Sequence, residues 1–236
     1  MIPIMISSIH KATHYLSHDL LGGPRVLNFN WVINFQKGMT LFWVMGLMYF
    51  FDNYSTQAWV YLALHGSYGI IWILKDVTFP DNKWQAKITF GGAISAVVAV
   101  LGPYWVAPFL LISPVLGEAH IGANWIWTAT AIFVYAIGLA LMITADAQKY
   151  FTLKHQKGLI TTGMFRMIRH PNYLGEMLIY GSFALLAWHW IPWAILAWVW
   201  LGYFSINIIM KERSMSRYEE WSEYKKHSKY LIPYIF

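Results

Sequence analysis

Residues Asn124–Ala145 read NWIWTATAIFVYAIGLALMITA, twenty-two positions without a charged side chain. A helix rises 1.5 Å per residue, so about 20 apolar residues cross the roughly 30 Å hydrocarbon core of a bilayer. The stretch is predicted to span a membrane and to leave it where Asp146 opens a charged segment. Working outward, five more stretches read the same way: roughly Gly38–Phe51, Gln57–Leu74, Ile88–Ile112, Leu174–Trp188 and Ile191–Met210. The first is short, and Trp31–Phe35 extends it backward through Gln36 and Lys37. The last two form one tract too long for a single span. Pro192 would cost a helix a hydrogen bond, which places a tight hairpin at His189–Pro192. Pro103 and Pro108 kink or divide the third stretch, so the count is six spans, or seven if it divides.

Composition agrees. Of the 236 residues, 58% are hydrophobic and only 12% charged, against roughly a quarter charged in average soluble domains. A soluble chain of this length could not hide so much apolar surface. The 14 Trp suit interfacial anchoring, including a belt over Trp188–Trp200. There is no Cys, so neither a disulfide framework nor thiolate chemistry is available. The start, MIPIMISSIHK, lacks a basic n-region, so no cleavable leader is expected. The expected class is therefore an all-α, polytopic helical bundle, one membrane-embedded domain over 1–236, with membrane lipids around it and no nucleic-acid partner.

Orientation follows from Lys and Arg, which gather on the cytoplasmic side. They are absent from Ile88 to Gln148 and dense from Lys149 to Lys229. Arg25 and Lys37 precede span one; Lys75, Lys83 and Lys87 lie between spans two and three. Lys149, Lys154, Lys157, Arg166 and Arg169 lie between spans four and five, and Lys211, Arg213 and Arg217 follow span six. The opposite loops, Asp52–Thr56, Ser113–Ala123 and His189–Pro192, hold none. Both termini are expected in the cytoplasm.

The chemistry concentrates in the last third. Asp146 and Lys149 share a helix face if span four continues, and Gly158 and Gly163 mark a loop. Arg166 and Arg169 share a face if the next piece is helical. Pro171 suits the first turn of a helix. Asn172, Tyr173 and Glu176 then stand at the mouth of span five. Glu176, one turn into an apolar helix, needs a partner there. Such a cationic cup suits a ligand with phosphates and a ribose, since Arg grips phosphate with two bonds. The bland alternative is a positive-inside anchor with Glu176 in a structural ion pair. Within span two, His65 and Tyr68 share a face and can serve as proton donors, or simply bond between helices. His10, His14 and His18 recur at every fourth position before Asp19. They are read as an interfacial amphipathic segment rather than a metal site, which needs more ligands.

The string GMFRMIRHPNYLGE (Gly163–Glu176) resembles the C-terminal signature of the membrane steroid and sterol reductases. So do DAQK (Asp146–Lys149), KERSMSRYEEWSEYKK (Lys211–Lys226) and the ending KYLIPYIF (Lys229–Phe236). The resemblance implies a nicotinamide cofactor, NADPH, held from the cytoplasmic side by Asp146, Lys149, Arg166, Arg169, Asn172, Tyr173 and Glu176. Arg213 and Tyr224 contribute from the tail. Lys154 follows Leu153 where those reductases carry an Arg. Residues 1–145 would then supply the substrate side, and 146–236 the cofactor segment, the helical hairpin and a C-terminal lid. The steroid 5-alpha-reductases polarise a ketone with a Gln-Glu pair and a Tyr; here the pair is Gln36–Lys37.

The implied activity is reduction of an activated C=C bond in a lipid-soluble, steroid-like substrate, with Gln36, Lys37, His65 and Tyr68 as the catalytic candidates. RHPNY-type strings also occur in membrane methyltransferases that use S-adenosylmethionine, which is one alternative. A non-catalytic lipid-binding member of the fold is another.

Overall fold

The computed structural model describes residues 2–115 and 124–233, with side chains from residue 7. Most of the loop Ser113–Ala123 and the last three residues of the ending KYLIPYIF lie outside the described residues.

Helices occupy all six predicted stretches. The first is α2 (Phe29–Phe50), preceded by α1 (Ile2–His18). The second is α3 (Thr56–Thr78), begun by Ser55, whose hydroxyl accepts from the Ala58 N–H. The third comprises α4 (Phe90–Ala96), a π-helical segment Val97–Leu101, a 3-10 turn Pro103–Trp105 and α5 (Val106–Ile112). The fourth, α6 (Trp125–His155), runs 31 residues, well past Ala145. The fifth is α7 (Pro171–Ala187), with Pro171 in its first turn. The sixth joins α8 (Trp190–Val199), a π segment Trp200–Phe204 and α9 (Ser205–Met215). A short helix α10 (Trp221–His227) follows. Two two-residue strands, β1 (Leu27–Asn28) and β2 (Lys87–Ile88), pair antiparallel with Leu27 opposite Ile88.

The prolines act as their chemistry requires. Pro103 has no N–H to return to the carbonyl of Ala99. That carbonyl instead accepts from the Trp198 indole at 3.2 Å, which ties the interrupted third stretch to α8. The hairpin between α7 and α8 turns at Trp188, in the left-handed region, and His189, whose ring caps Ile191 N–H. Pro192 falls inside the first turn of α8, where a missing N–H is harmless.

Among the described residues, three helical stretches are long and apolar enough to cross a membrane: Phe90–Ile112, Trp125–His155 and Trp190–Met215. The α2 and α3 helices are long enough but carry Gln36, Lys37, His65, Lys75 and Asp76, and α7 has 17 residues. Along these stretches the outward face is apolar: Phe133, Ile126, Leu201, Trp198 and Val98 all stand more than half exposed. A patch of that extent has no place in water and suits lipid.

The core runs along α2, α3, α6 and α7, with α5 and α8 closing it. Its most extensive contact joins α6 to α7. There Gly138 and Gly175 face each other, and a Cβ on either would lie 2.6–2.7 Å from the other's carbonyl oxygen. Two backbones touch without side chains between them, as small residues permit in membranes.

Candidate active site

Lys37 points from the middle of α2 into this core and is 3% exposed. Its ammonium donates to the hydroxyls of Tyr68, at 3.4 Å, and of Tyr180. The rings of Tyr68, Trp72, Tyr180 and Tyr104 surround it with centroids at 4.5, 4.9, 4.7 and 5.6 Å. Tyr68 and Trp72 are one turn apart on α3, Tyr180 comes from α7, and Tyr104 comes from the proline turn and stacks on Tyr180 at 3.9 Å. Helix spacing on α3 also places His65 here, stacked on Phe183 at 4.1 Å and 6.4 Å from the Tyr68 ring. The Tyr61 hydroxyl meets His65 Nδ1 at 3.0 Å, while His65 Nε2 is buried and has no hydrogen-bond partner among the described residues. Both polar atoms of the buried Gln36 side chain are likewise unpartnered. Buried polar atoms are nearly always bonded, so these three carry bonding capacity that no described residue uses. The candidates Gln36, Lys37, His65 and Tyr68 are all buried; Lys37, His65 and Tyr68 share one cluster.

Toward the end of the bundle where α6 leaves and α7 begins, charges pair across helices. Lys75 of α3 meets Asp146 of α6 at 2.6 Å, both nearly buried. Lys149, one turn on, meets Asp81 at 2.8 Å in the loop after α3. Burial opposes the ionisation of Asp81, but Lys149 and the Lys83 N–H outweigh it and hold the carboxyl down at about 2. Asp146 and Lys149 thus do share a face, and each is bound to the N-terminal half. Glu176 interacts electrostatically with Lys37, Lys75, Asp146 and Lys211 and has no ion-pair partner within 4 Å among the described residues. Tyr173 packs on Phe204, with the Lys211 ammonium 4.4 Å above its ring. Asn172 is half-buried beside them.

The segment between α6 and α7 is not a continuous helix. Gly163, at φ 59°, opens a 3-10 turn to Phe165, so Arg166 is exposed while Arg169 turns inward and is 6% exposed. The two arginines do not share a face. Arg169 Nε donates to Glu212 at 2.8 Å, and an η nitrogen donates to the Ser228 carbonyl at 2.6 Å. His170 meets the same Glu212 oxygen at 2.9 Å. The tail closes over this segment: Arg169 N–H donates to Lys229 O, Lys229 N–H to Met167 O, and the Tyr224 hydroxyl to Phe165 O. Arg213 and Lys154 are exposed. The charge and spacing of the sequence did not single out Gln148, which holds the loop by bonding both Thr162 O and Met164 N–H. Nor did they single out Tyr180 and Tyr104, which read as ordinary core aromatics. By sequence alone Lys75 and Lys211 read as orientation signals, though charges at span ends with cross-helix partners are a functional signal too.

The family described as Protein of unknown function (DUF1295) matches residues 27–230, nearly the whole chain and every element of the cluster. The chain belongs to that family. The Steroid 5-alpha-reductase DET2 of Arabidopsis thaliana is 27% identical over 176 residues, covering 67% of this chain and 60% of that protein. The Steroid 5-alpha-reductase DET2 of Solanum lycopersicum is 27% identical over 121 residues, 48% of this chain and 45% of that one. An uncharacterized protein of Schizosaccharomyces pombe is 29% identical over 113 residues, covering 44% of this chain and 36% of its own length. The chain thus spans between 36% and 60% of the length of these relatives. Together the family and these similarities place it in the membrane steroid-reductase-like superfamily.

Proposed function

We propose that the chain is a membrane-embedded, NADPH-dependent reductase of an activated C=C bond in a lipid-soluble substrate. The observation that carries the reading is the buried donor set of Lys37, Tyr68 and Tyr180, with His65 Nε2 unpartnered beside it. Donors fixed in a water-poor core stabilise negative charge developing on a carbonyl oxygen far better than they would in water. Tyr68 and His65 can each give the proton that the neighbouring carbon takes once hydride has added to the far end of the C=C bond.

The residues fit the cofactor chemically. Glu176, without an ion-pair partner, suits a hydroxyl or carboxamide, and the exposed Arg166, Lys154 and Arg213 suit phosphate. Asp146, Lys149, Asn172 and Tyr173 line the same end, with Tyr224 and Arg169 behind them in the tail contact. When bound, the reduced nicotinamide supplies the hydride. Binding requires opening: the two hollows hold about 10 Å³ each, room for about one water, against the roughly 300–1,000 Å³ of ordinary ligand sites.

The test is titration of purified protein in lipid nanodiscs with NADPH and S-adenosylmethionine, followed by tryptophan fluorescence and thermal shift. NADPH is expected to bind the tighter. Stabilisation by S-adenosylmethionine alone would overturn the reductase reading.

A further inference from the structure

We propose that the lipid-soluble substrate reaches the buried donors sideways from the bilayer, through the seam between α5, α7 and α8, and that the ring of Tyr104 is the door across it. The route rests on the reductase reading and supplies the opening which that reading requires.

The four rings around Lys37 are not held alike. Tyr68 and Trp72 stand on α3, which touches α2 backbone to backbone at Gly69, where a Cβ would lie 2.2 Å from the Lys37 carbonyl oxygen. Tyr180 stands on α7, which meets α6 in the same way at Gly138 and Gly175. The hydroxyls of Tyr68 and Tyr180 are tied to Lys37 as well. Tyr104 has none of these restraints. It sits in the three-residue turn Pro103–Trp105, after a π-helical segment and Gly102. Such breaks in a helix are where functional hinges are found. Among the described residues its hydroxyl makes no hydrogen bond, so packing alone holds the ring, stacked on Tyr180 at 3.9 Å. Trp105 fixes one side of the turn to α2, its indole donating to Thr40 at 2.8 Å. The other side, Pro103 and Tyr104, faces Pro192, Ile195 and Leu196 of α8.

Between those walls the helices fail to close, leaving a hollow of about 10 Å³. It holds about one water, so it is a seam and not a binding site. Its rim at Pro103 and Ile195 is partly exposed, and its floor of Tyr180, Phe183 and Ala184 is buried. No lining residue carries a charge, so the seam admits hydrocarbon and refuses a phosphate. Near the rim, Val98 and Trp198 are 70% and 60% exposed, with lipid as their surroundings. Among the described residues one side-chain hydrogen bond joins the third stretch to α8. It runs from the Trp198 indole to the Ala99 carbonyl, the acceptor that Pro103 leaves free. In hydrocarbon no water replaces such a bond, so it acts as a latch. Tyr180 is both the floor of the seam and a wall of the donor cluster, and Tyr104 lies nearly flat on it. Swinging the Tyr104 turn toward lipid uncovers Tyr180 and joins seam to cluster.

The experiment uses the full chain in nanodiscs doped with a diazirine-bearing sterol. Light turns the diazirine into a carbene that inserts into neighbouring C–H bonds, and mass spectrometry reads the labelled residues. The wild type should carry label at the rim, on Pro103 and Ile195, and little on the floor. Trp198→Phe keeps a ring but loses the donor. Label on Phe183 and Ala184 should then rise roughly fivefold or more, the shift in open fraction that one lost hydrogen bond gives. Tyr104→Ala removes the door and should raise the same label with the latch intact. Ile88 and Ala145, fully buried and off the seam, are the controls and should stay unlabelled. Thermal melting shows which variants fold, and Trp198→Phe carries the test if Tyr104→Ala does not. Floor labelling that stays at the wild-type level in either folded variant, or label that rises equally at Ile88 and Ala145, overturns the inference. NADPH binding is read separately on the same samples. A failed reductase reading shows as absent NADPH binding with the labelling pattern as expected, and a failed route shows as NADPH bound with the floor unlabelled.

Discussion

Gly69 holds α2 and α3 together at the one place where the site can least spare it. A Cβ at Gly69 would stand 2.2 Å from the Lys37 carbonyl oxygen and 3.0 Å from its carbonyl carbon. Backbone cannot rotate out of the way as a side-chain tip can, so Gly69→Ala must push the helices apart. Restoring an ordinary contact takes about 1 Å of separation, and overpacking of this kind costs about 1–3 kcal/mol. For a chain of this size that lowers Tm by roughly 2–4 °C for each kcal/mol. The Lys37–Tyr68 hydrogen bond is already 3.4 Å long and would not survive such a shift. Stability and ligand binding should therefore fall together. Gly66, one turn earlier on the same face, is the control. There a Cβ meets the Leu41 methyl at 2.6 Å and nothing else closer than 3.7 Å. Leu41 can change rotamer, so Gly66→Ala should cost less than about 1 kcal/mol. Both variants are read in nanodiscs by thermal melting and by affinity for NADPH. The reasoning is refuted if Gly69→Ala melts and binds as the wild type does, or if the two variants suffer equally.

The other interactions give expectations of their own. Lys75→Met strands Asp146 as a lone buried carboxylate and should destabilise by about 3–5 kcal/mol, whereas adding Asp146→Leu should restore much of the loss. A double-mutant cycle on Tm checks it. The depressed carboxyl of Asp81 contributes stability that is fully present above its ordinary 3.8 and lost as pH falls through about 2. The difference is on the order of 1 kcal/mol once partial exposure of the pair is discounted, so melting between pH 4.5 and 2 should flatten in Asp81→Asn. Glu176→Gln should weaken NADPH binding roughly tenfold or more without changing Tm; an unchanged dissociation constant removes Glu176 from the cofactor's contacts.

Much of the fold was legible because apolar length is a simple signal. Asn124–Ala145 became most of α6, and the Gln57–Leu74 stretch became α3 with one residue added at its start and four at its end. What escaped was where helices end once no lipid constrains them. The α6 helix continues ten residues beyond Ala145 because Asp146 and Lys149 find Lys75 and Asp81 across the bundle. Those partners lie some seventy positions away, beyond the reach of any local pattern. For the same reason His65 and Tyr68 could be paired from their spacing, whereas Tyr180 could not be joined to them. Its approach depends on how closely α6 and α7 pack, which Gly138 and Gly175 decide. Arg166 and Arg169 share a face only on a helix, and Gly163, at φ 59°, opens a 3-10 turn there instead.

Arg169 shows how tail and ligand come to depend on each other. A guanidinium grips phosphate through two neighbouring nitrogens, either Nε with one η nitrogen or the two η nitrogens. Here Glu212 occupies Nε and Ser228 occupies one η nitrogen, so each fork has one arm taken. A bidentate grip on a ligand must release either Glu212 or the Ser228 carbonyl, and Ser228 sits beside Lys229, whose backbone closes on Met167 and Arg169. Coupling of this kind is reciprocal: a ligand that takes Arg169 loosens the tail, and a tail held in place weakens that ligand by the same factor. If the phosphates instead go to Arg166 and Arg213, both exposed, the tail has no reason to move. Hydrogen exchange at residues 224–230, with and without NADPH, separates the two. Faster exchange on binding assigns Arg169 to the cofactor, and unchanged exchange leaves it as the residue that fastens the tail to the signature segment.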